Sequence, residues 1–345
     1  MAYRAVVAGA SGYAGAELLR ILAGHPEVAV ETALAGGHAG QPVAGLFPSL
    51  ARAYPGVAFE ALDPAAFDGA DVAFLALPHG ESQRLVPELL DRVGHVVDLG
   101  ADFRLPAPVY EQWYGAPHQA PELLARFAFG LPELFRERIS AETPVAAPGC
   151  YPTAGVLALA PLLAGGLAEP TGIVVDAVSG LSGRGRGLAE PGLFAEANET
   201  VTPYGLLTHR HTGEIEWALG EVHGAPVQVL FTPHLVPMTR GLLATCTARP
   251  ATAGLTTARL LDAYREFYAA EPFVVVLDEP PTTKATLGSN SAQLTVRFDD
   301  RTGTILAFGA LDNLGKGAAG QAVQAANLVL GLPEPTGLAC VGLMP

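Results

Sequence analysis

The stretch YRAVVAGASGYAGAELLRILAGHP, Tyr3–Pro26, decides the fold. A short apolar run, Tyr3–Ala8, gives way to a glycine-rich turn, and AELLRILAG then carries apolar residues at helical spacing until Gly24 and Pro26 stop it. Strand, glycine turn and helix in that order open a nucleotide-binding parallel sheet. The glycines let the backbone approach a pyrophosphate, and the amides at a helix start favour its charge. The turn reads Gly9-Ala10-Ser11-Gly12-Tyr13-Ala14-Gly15, with the spacing GxxGxxG in place of the commoner GxGxxG. Gly9, Ser11, Gly12, Tyr13, Ala14 and Gly15 are therefore the expected cofactor-binding residues. No acid closes the second strand, which ends Leu34-Ala35-Gly36-Gly37-His38. An acid there would hold the ribose hydroxyls of NAD, so its absence leans towards NADP, with backbone amides, Ser11 or His38 left to hold the extra phosphate.

Outward from this unit the pattern repeats. Val28–Leu34, Asp71–Leu77 and His95–Leu99 read as strands, the second a near-continuous apolar run suited to burial on both faces, and Gly80–Leu90 reads as a helix. Alternation of this kind predicts an α/β, Rossmann-type parallel sheet with helices on both faces. Past about residue 150 the character changes. A helix near Thr153–Ala164 and a strand at Ile173–Val178 precede long extended pieces, VQVLFTPHLVP, GLLATCTARP, PFVVVLD, AQLTVRFDD and TILAFGALD. Two helices interrupt them, near Thr256–Ala269 and Lys316–Leu330. The second half is expected to be α+β, a mixed, largely antiparallel sheet.

The composition bounds the function. The chain has 345 residues, enough for two domains, and a formal net charge of −14, which excludes nucleic acid as a partner of choice. The start MAYRAVVAGASG lacks the basic region and cleavage site of a signal peptide, and no unbroken apolar run reaches the length of a membrane span. Three widely separated cysteines give neither a disulfide framework nor metal-ligand spacing, so no metal is expected. A cytoplasmic protein is the expectation.

One cysteine stands apart. Cys150 lies in Ala147-Pro148-Gly149-Cys150-Tyr151-Pro152-Thr153-Ala154, immediately before an apolar helix. Pro152 suits the first turn of that helix, where a missing N–H costs nothing. The partial positive charge there favours a thiolate, and first-turn amides can hold an oxyanion. Cys246 and Cys340 read as inert.

These segments resemble the N-acetyl-γ-glutamyl-phosphate reductase family of arginine biosynthesis over essentially the whole chain. The resemblance rests on GASGYAG (Gly9–Gly15), ALPHG (Ala76–Gly80), DLGADFRL (Asp98–Leu105), GLPEL (Gly130–Leu134), PGCYPTA (Pro148–Ala154), HRHTGEI (His209–Ile215) and ALDNLGKGAAGQAVQ (Ala310–Gln324). It implies reduction of an acyl phosphate by NADPH to N-acetylglutamate semialdehyde and phosphate through a thioester on Cys150. It also implies a nucleotide domain over residues 1–149 plus a returning C-terminal segment, 316–345, and a catalytic and oligomerising domain over 150–315 that would make a homodimer or homotetramer. The turn Asn313–Gly317 would lie near the nicotinamide, so Asn313 and Lys316, with Pro78, Ser182 and Gly183, join the expected cofactor contacts. HRHTGEI has Gly213 where the family often has proline, a difference of loop stiffness.

The remaining site residues follow from the chemistry of a small anionic substrate. Histidine titrates near neutral pH and suits proton transfer. His209 and His211, two apart in what reads as an extended segment, would share a face. His211 is assigned as acid/base and His209 as a substrate contact, the reverse order being equally compatible with the spacing, and Glu214 could orient one imidazole. A phosphate and a carboxylate call for guanidinium groups, so Arg104, Arg184, Arg186, Arg210 and Arg240 are candidate substrate ligands. His79 and Asp102-Phe103 are expected to line the cofactor cleft or to serve as strand-end turns. Three alternatives remain at this level: an aminoadipyl-phosphate reductase, which differs after the cysteine by an Asn-Ala pair where this chain has Tyr151-Pro152; an aspartate-semialdehyde-type dehydrogenase; and a non-catalytic NADP sensor on the same fold.

Overall fold

A computed structural model describes residues 2–344 and divides the chain into two compact units. Met1–Pro148 and Ala318–Leu338 form the first, Gly149–Gly317 and Ala339–Pro345 the second.

The first unit is built on a six-stranded sheet in the order β2-β1-β3-β4-β6-β5. Its strands are β1 (Tyr3–Ala8), β2 (Val28–Leu34), β3 (Val72–Leu75), β4 (His95–Asp98), β5 (Ala128–Phe129) and β6 (Val145–Ala146), and every pairing is parallel. Strand order reverses at β1, so the switch point opens at the carboxyl ends of β1 and β3, where an open α/β sheet takes its ligand. The helices Tyr13–Leu22 and Ser82–Leu89 follow their strands as the sequence periodicity requires. One layer of core joins Val7, Leu18, Leu19, Val72 and Phe74 to Ala322, Val323 and Ala326 of the helix Gly320–Val329. That late helix is also keyed by polar groups: Gln321 Nε2 donates to Gly130 O at 2.7 Å, and Asn327 Oδ1 lies 3.0 Å from His25 Nε2. The tail beyond Leu338 departs from the reading that placed all of 316–345 in this unit. From Ala339 it belongs to the second unit, where Asn290 N–H donates to Ala339 O at 2.8 Å and Ser291 Oγ donates to Cys340 O.

The second unit carries a seven-stranded sheet in the order β11-β12-β13-β10-β7-β9-β8. These are β7 (Ile173–Gly180), β8 (Thr202–Pro203), β9 (Val229–Val236), β10 (Leu242–Ala248), β11 (Val274–Val276), β12 (Ala292–Asp299) and β13 (Thr304–Leu311). The β7–β9 and β11–β12 pairs are parallel and the others antiparallel, a mixed sheet. The helix Cys150–Ala164 packs on this sheet with every residue from Tyr151 to Leu163 buried. It starts at the cysteine, three residues earlier than its periodicity suggested.

Two helical features differ from expectation. Residues read as extended around HRHTGEI open a helix, His211–His223, which ends at Gly224 with φ +79°. Ile215, Ala218 and Leu219 supply the buried i, i+3, i+4 face, and Glu214 sits in the first turn, where its charge suits the helix dipole. The expected helix from Lys316 begins instead with a π-helical turn, Gly315–Ala319, before regular α geometry from Gly320.

Candidate active site

In the first unit the glycine turn is shaped by close backbone packing. Gly9 has φ +77°, and a Cβ there would come within 2.7 Å of the Ala76 carbonyl carbon, nearer still to its oxygen. A Cβ on Gly15 would meet Ala10 Cα at 2.7 Å. Gly12 is different: among the described residues, its chain neighbours aside, nothing comes nearer than 3.4 Å to its missing Cβ, and as N-cap of the first helix it provides no side-chain acceptor. The first-turn amides therefore face outward uncapped, with the smallest residue at the point of approach, which fits a pyrophosphate. Ser11 and His38 are half-buried, whereas Tyr13 and Pro78 are exposed. The turn after β3 is fixed by fully buried Asp102, whose carboxylate accepts from Gly80 N–H at 2.9 Å and Gln83 N–H at 3.1 Å and lies 2.7 Å from His79 Nδ1. Arg104 is buried in this unit and donates to Leu99 O at 2.8 Å.

In the second unit the helices Cys150–Ala164 and His211–His223 meet start to start. Gly149, the N-cap of the cysteine helix, donates its N–H to Glu214 Oε1 at 2.7 Å, and Glu214 is buried. Glu214 thus reaches the cap of the cysteine helix, a contact the spacing did not announce. The His211 ring lies against the bare α-carbon of Gly149: a Cβ there would stand 2.7 Å from Cε1 and 2.9 Å from Cδ2. Half-buried Cys150 is also approached by Gly317, whose absent Cβ would fall 2.8 Å from the cysteine Cβ. His209 and His211 come together by ring packing across a turn, centroids 4.8 Å apart, and not as neighbours on one strand face. Tyr151, Tyr204 and Phe231 enclose the pair, and Tyr204 donates to the Tyr151 hydroxyl at 3.2 Å. These three aromatics escaped the sequence reading. Tyr151 adjoins the cysteine and could have been suspected, but nothing local marks Tyr204 or Phe231.

The His209 imidazole is electrostatically perturbed. Burial, with Arg210 beside it, pushes His209 down to about 4, and its Nδ1 accepts the His211 backbone N–H at 3.2 Å. His209 is therefore neutral at physiological pH. Burial likewise drives the Tyr151 hydroxyl far up and the Tyr204 hydroxyl up to about 12, so both remain protonated hydrogen-bond donors.

The other expected contacts divide. Asn313 spans the Ser182 turn, accepting from Gly241 N–H at 2.8 Å and donating to Ser182 Oγ at 2.9 Å, with Gly183 next in that turn. Lys316 is wholly buried, with Nζ 5.6 Å from the Phe273 ring centroid. The Arg240 guanidinium is gripped by buried Asp312, with Nε 3.1 Å from Oδ1 and Nη2 3.0 Å from Oδ2. Arg184, Arg186 and Arg210 stay exposed. Arg184 lines a cavity of about 410 Å³ with Glu190, Glu196, Thr202 and Tyr204. Among the described residues no helix is long and apolar enough to cross a membrane.

Comparison with known proteins gives a consistent picture. Residues 4–142 match the family model described as semialdehyde dehydrogenase, NAD binding domain, and residues 150–313 match semialdehyde dehydrogenase, dimerisation domain. The chain is 50% identical to an N-acetyl-gamma-glutamyl-phosphate reductase of Symbiobacterium thermophilum, covering 99% of each chain. A reductase of the same name from Thermus thermophilus is 49% identical, with 98% of this chain and 99% of that one covered. Among solved structures, aspartate semialdehyde dehydrogenase II of Vibrio cholerae, complexed with ASA, superposes with TM-score 0.73 at 17% identity, covering 96% of this chain and 99% of that one. The Candida albicans aspartate semialdehyde dehydrogenase with NADP gives 0.71 at 16%, with the same coverage. At such identities these two structures speak for the fold.

Proposed function

The chain belongs to the N-acetyl-gamma-glutamyl-phosphate reductase family, and on that premise we propose that it reduces N-acetyl-γ-glutamyl phosphate to N-acetylglutamate semialdehyde and phosphate, with NADPH as hydride donor and a thioester on Cys150. Relatives near half identity carry that activity in their names, whereas the aspartyl enzymes share only the fold, so neither they nor the aminoadipyl and sensor readings are favoured. The observation that supports the residue assignment is the meeting of two helix starts at Gly149, one bearing Cys150 and the other His211.

Gly9, Ser11, Gly12 and the amides from Tyr13 to Gly15 would hold the cofactor's pyrophosphate, with His38 and Pro78 beside it. When bound, NADPH supplies the hydride that lowers the thioester to the aldehyde level. The chain's own residues do the rest. Cys150 loses its proton to the His211 imidazole, and its sulfur bonds to the γ-carbonyl carbon. Phosphate leaves with the bonding pair of the broken C–O bond, so the acyl group is held as a thioester. Oxyanion stabilisation falls to particular amides. The Gly149 N–H is taken by Glu214, Pro152 has none, and the Thr153 N–H goes to Gly149 O at 2.9 Å. The Tyr151 N–H of that first turn would be a donor to the oxyanion. After reduction the C–S bond breaks, the aldehyde leaves, and the sulfur returns to the thiolate or recovers the imidazole's proton. Neutral His209 and the tyrosine hydroxyls offer hydrogen bonds to the acylamino acid, and exposed Arg184, Arg186 and Arg210 offer charge to its anionic ends, with Arg104 and Arg240 as further candidates.

The enzyme works as a cytoplasmic homodimer or homotetramer joined through the second unit. Cys150→Ser is expected to abolish turnover, in both directions, with semialdehyde and phosphate used for the reverse assay, while NADPH affinity measured by fluorescence stays near normal. Loss of turnover and cofactor binding together would remove the support for a purely chemical role of the sulfur.

A further inference from the structure

Gly149 has no backbone reason to be glycine. Its φ of −69° and ψ of 156° lie in the extended region open to every L-residue. Its neighbours explain it instead. The His211 ring occupies the volume that a side chain at 149 would fill, with Cε1 2.7 Å and Cδ2 2.9 Å from the position of a Cβ. Both polar ends of the residue are pinned. The N–H is held by buried Glu214 at 2.7 Å, and the carbonyl accepts from Thr153 N–H at 2.9 Å and Thr153 Oγ1 at 3.0 Å. The helix that follows is buried on every side from Tyr151 to Leu163. Position 149 therefore cannot retreat from a collision, and the imidazole must. Its escape is narrow, because His209 packs on it with centroids 4.8 Å apart and Tyr151 with centroids 5.9 Å apart.

We propose that Gly149 is a positioning residue: its bare α-carbon is the seat of the His211 imidazole and sets where that ring stands relative to Cys150. This rests on the reading of Cys150 and His211 given above. Glu214 serves the same arrangement from the other side. Three residues after His211 on one helix face, it ties that helix to the cap of the nucleophile, so the imidazole and the sulfur share one reference point.

The test is a double-variant cycle on the full-length enzyme, with Gly149→Ala, His211→Ala and the pair. Gly149→Ala should lower kcat about 100-fold, as displacement of a catalytic group by about 1 Å does. The KM for NADPH should stay near its normal value, and the pH dependence of Cys150 alkylation by iodoacetamide should move to that of His211→Ala. In the His211→Ala background the same substitution has nothing to collide with and should cost no more than about twofold. An unimpaired Gly149→Ala enzyme, or an equal loss in both backgrounds, overturns the proposal. If Gly149→Ala alone fails to fold, recovery of a cooperative thermal transition in the pair supports it, and failure of both overturns it. A fully active His211→Ala enzyme would instead sink the assignment of the acid/base, an outcome distinct from those that strike Gly149.

Discussion

At the scale of single residues, environment separates side chains that the sequence shows as equals. His209 and His211 are two apart, and the spacing left the acid/base open. Half-buried among Tyr151, Tyr204 and Phe231 with Arg210 adjacent, His209 is held neutral down to about pH 4. A histidine kept neutral in the folded state contributes stability that is present above the ordinary value of about 6.5 and lost as pH falls towards 4. It does not change charge between pH 5 and 8, so it cannot produce a rate transition there. Replacing it by Asn puts an amide oxygen where Nδ1 accepts the His211 N–H. The expected result is a kcat–pH profile with its inflections in place and acid unfolding that begins at lower pH than in the wild type. An inflection that vanishes with His209→Asn would make His209 the titrating group.

At the scale of elements, strand ends and helix starts carry the chemistry, and their legibility was uneven. The β1 turn, the cysteine helix and the late strands were readable because period and glycine placement agree there with the tertiary solution. The helix His211–His223 was not. A glycine at 213 and a histidine-rich start weaken the local signal, and the helix draws its stability from burying Ile215, Ala218 and Leu219. The surroundings of the arginines were hidden for a related reason: the sequence shows a charge, while the pairing of Arg240 with buried Asp312 is a property of packing. Asp98, at the end of β4, is another group whose state only packing reveals. Wholly buried, it accepts from Ser82 Oγ and Gly100 N–H, each at 2.8 Å, through Oδ1, while Oδ2 has no partner among the described residues. Burial pushes its carboxyl up to about 7. The folded protein then binds a proton that the unfolded chain releases near pH 4, so Asp98's contribution to stability is whole below about pH 4 and is lost as pH rises through about 7. Asp98→Asn keeps an acceptor oxygen for Ser82 and Gly100 and removes the titration. Its Tm relative to wild type is expected to climb by several degrees between pH 5.5 and 8, and parallel Tm curves would contradict this account.

At the scale of the whole molecule, the second unit leaves apolar side chains uncovered along one segment. Leu188, Phe194 and Leu207 are 99%, 81% and 77% exposed, and the segment between β7 and the histidine helix contributes β8, the outermost strand of its sheet. Large apolar side chains left this exposed are candidates for an association surface, and this stretch falls within the residues matched to a dimerisation domain. Phe194→Asp is expected to shift the protein towards smaller species in light scattering at micromolar concentration. An unchanged mass would put the subunit contact elsewhere in the second unit. The division of the chain into two units was foreseeable from the switch in hydrophobic period near residue 150; which unit takes the last residues was not, since that turns on backbone hydrogen bonds such as Asn290 to Ala339.

The rod that ends in Cys150 has no wet side: thirteen consecutive residues, Tyr151 to Leu163, are shut away from solvent. Most helices loosen first at their tips, yet this tip cannot loosen without prising open the whole unit. The sulfur therefore keeps its place for as long as the second unit holds together, and variation among surface loops can proceed without moving it.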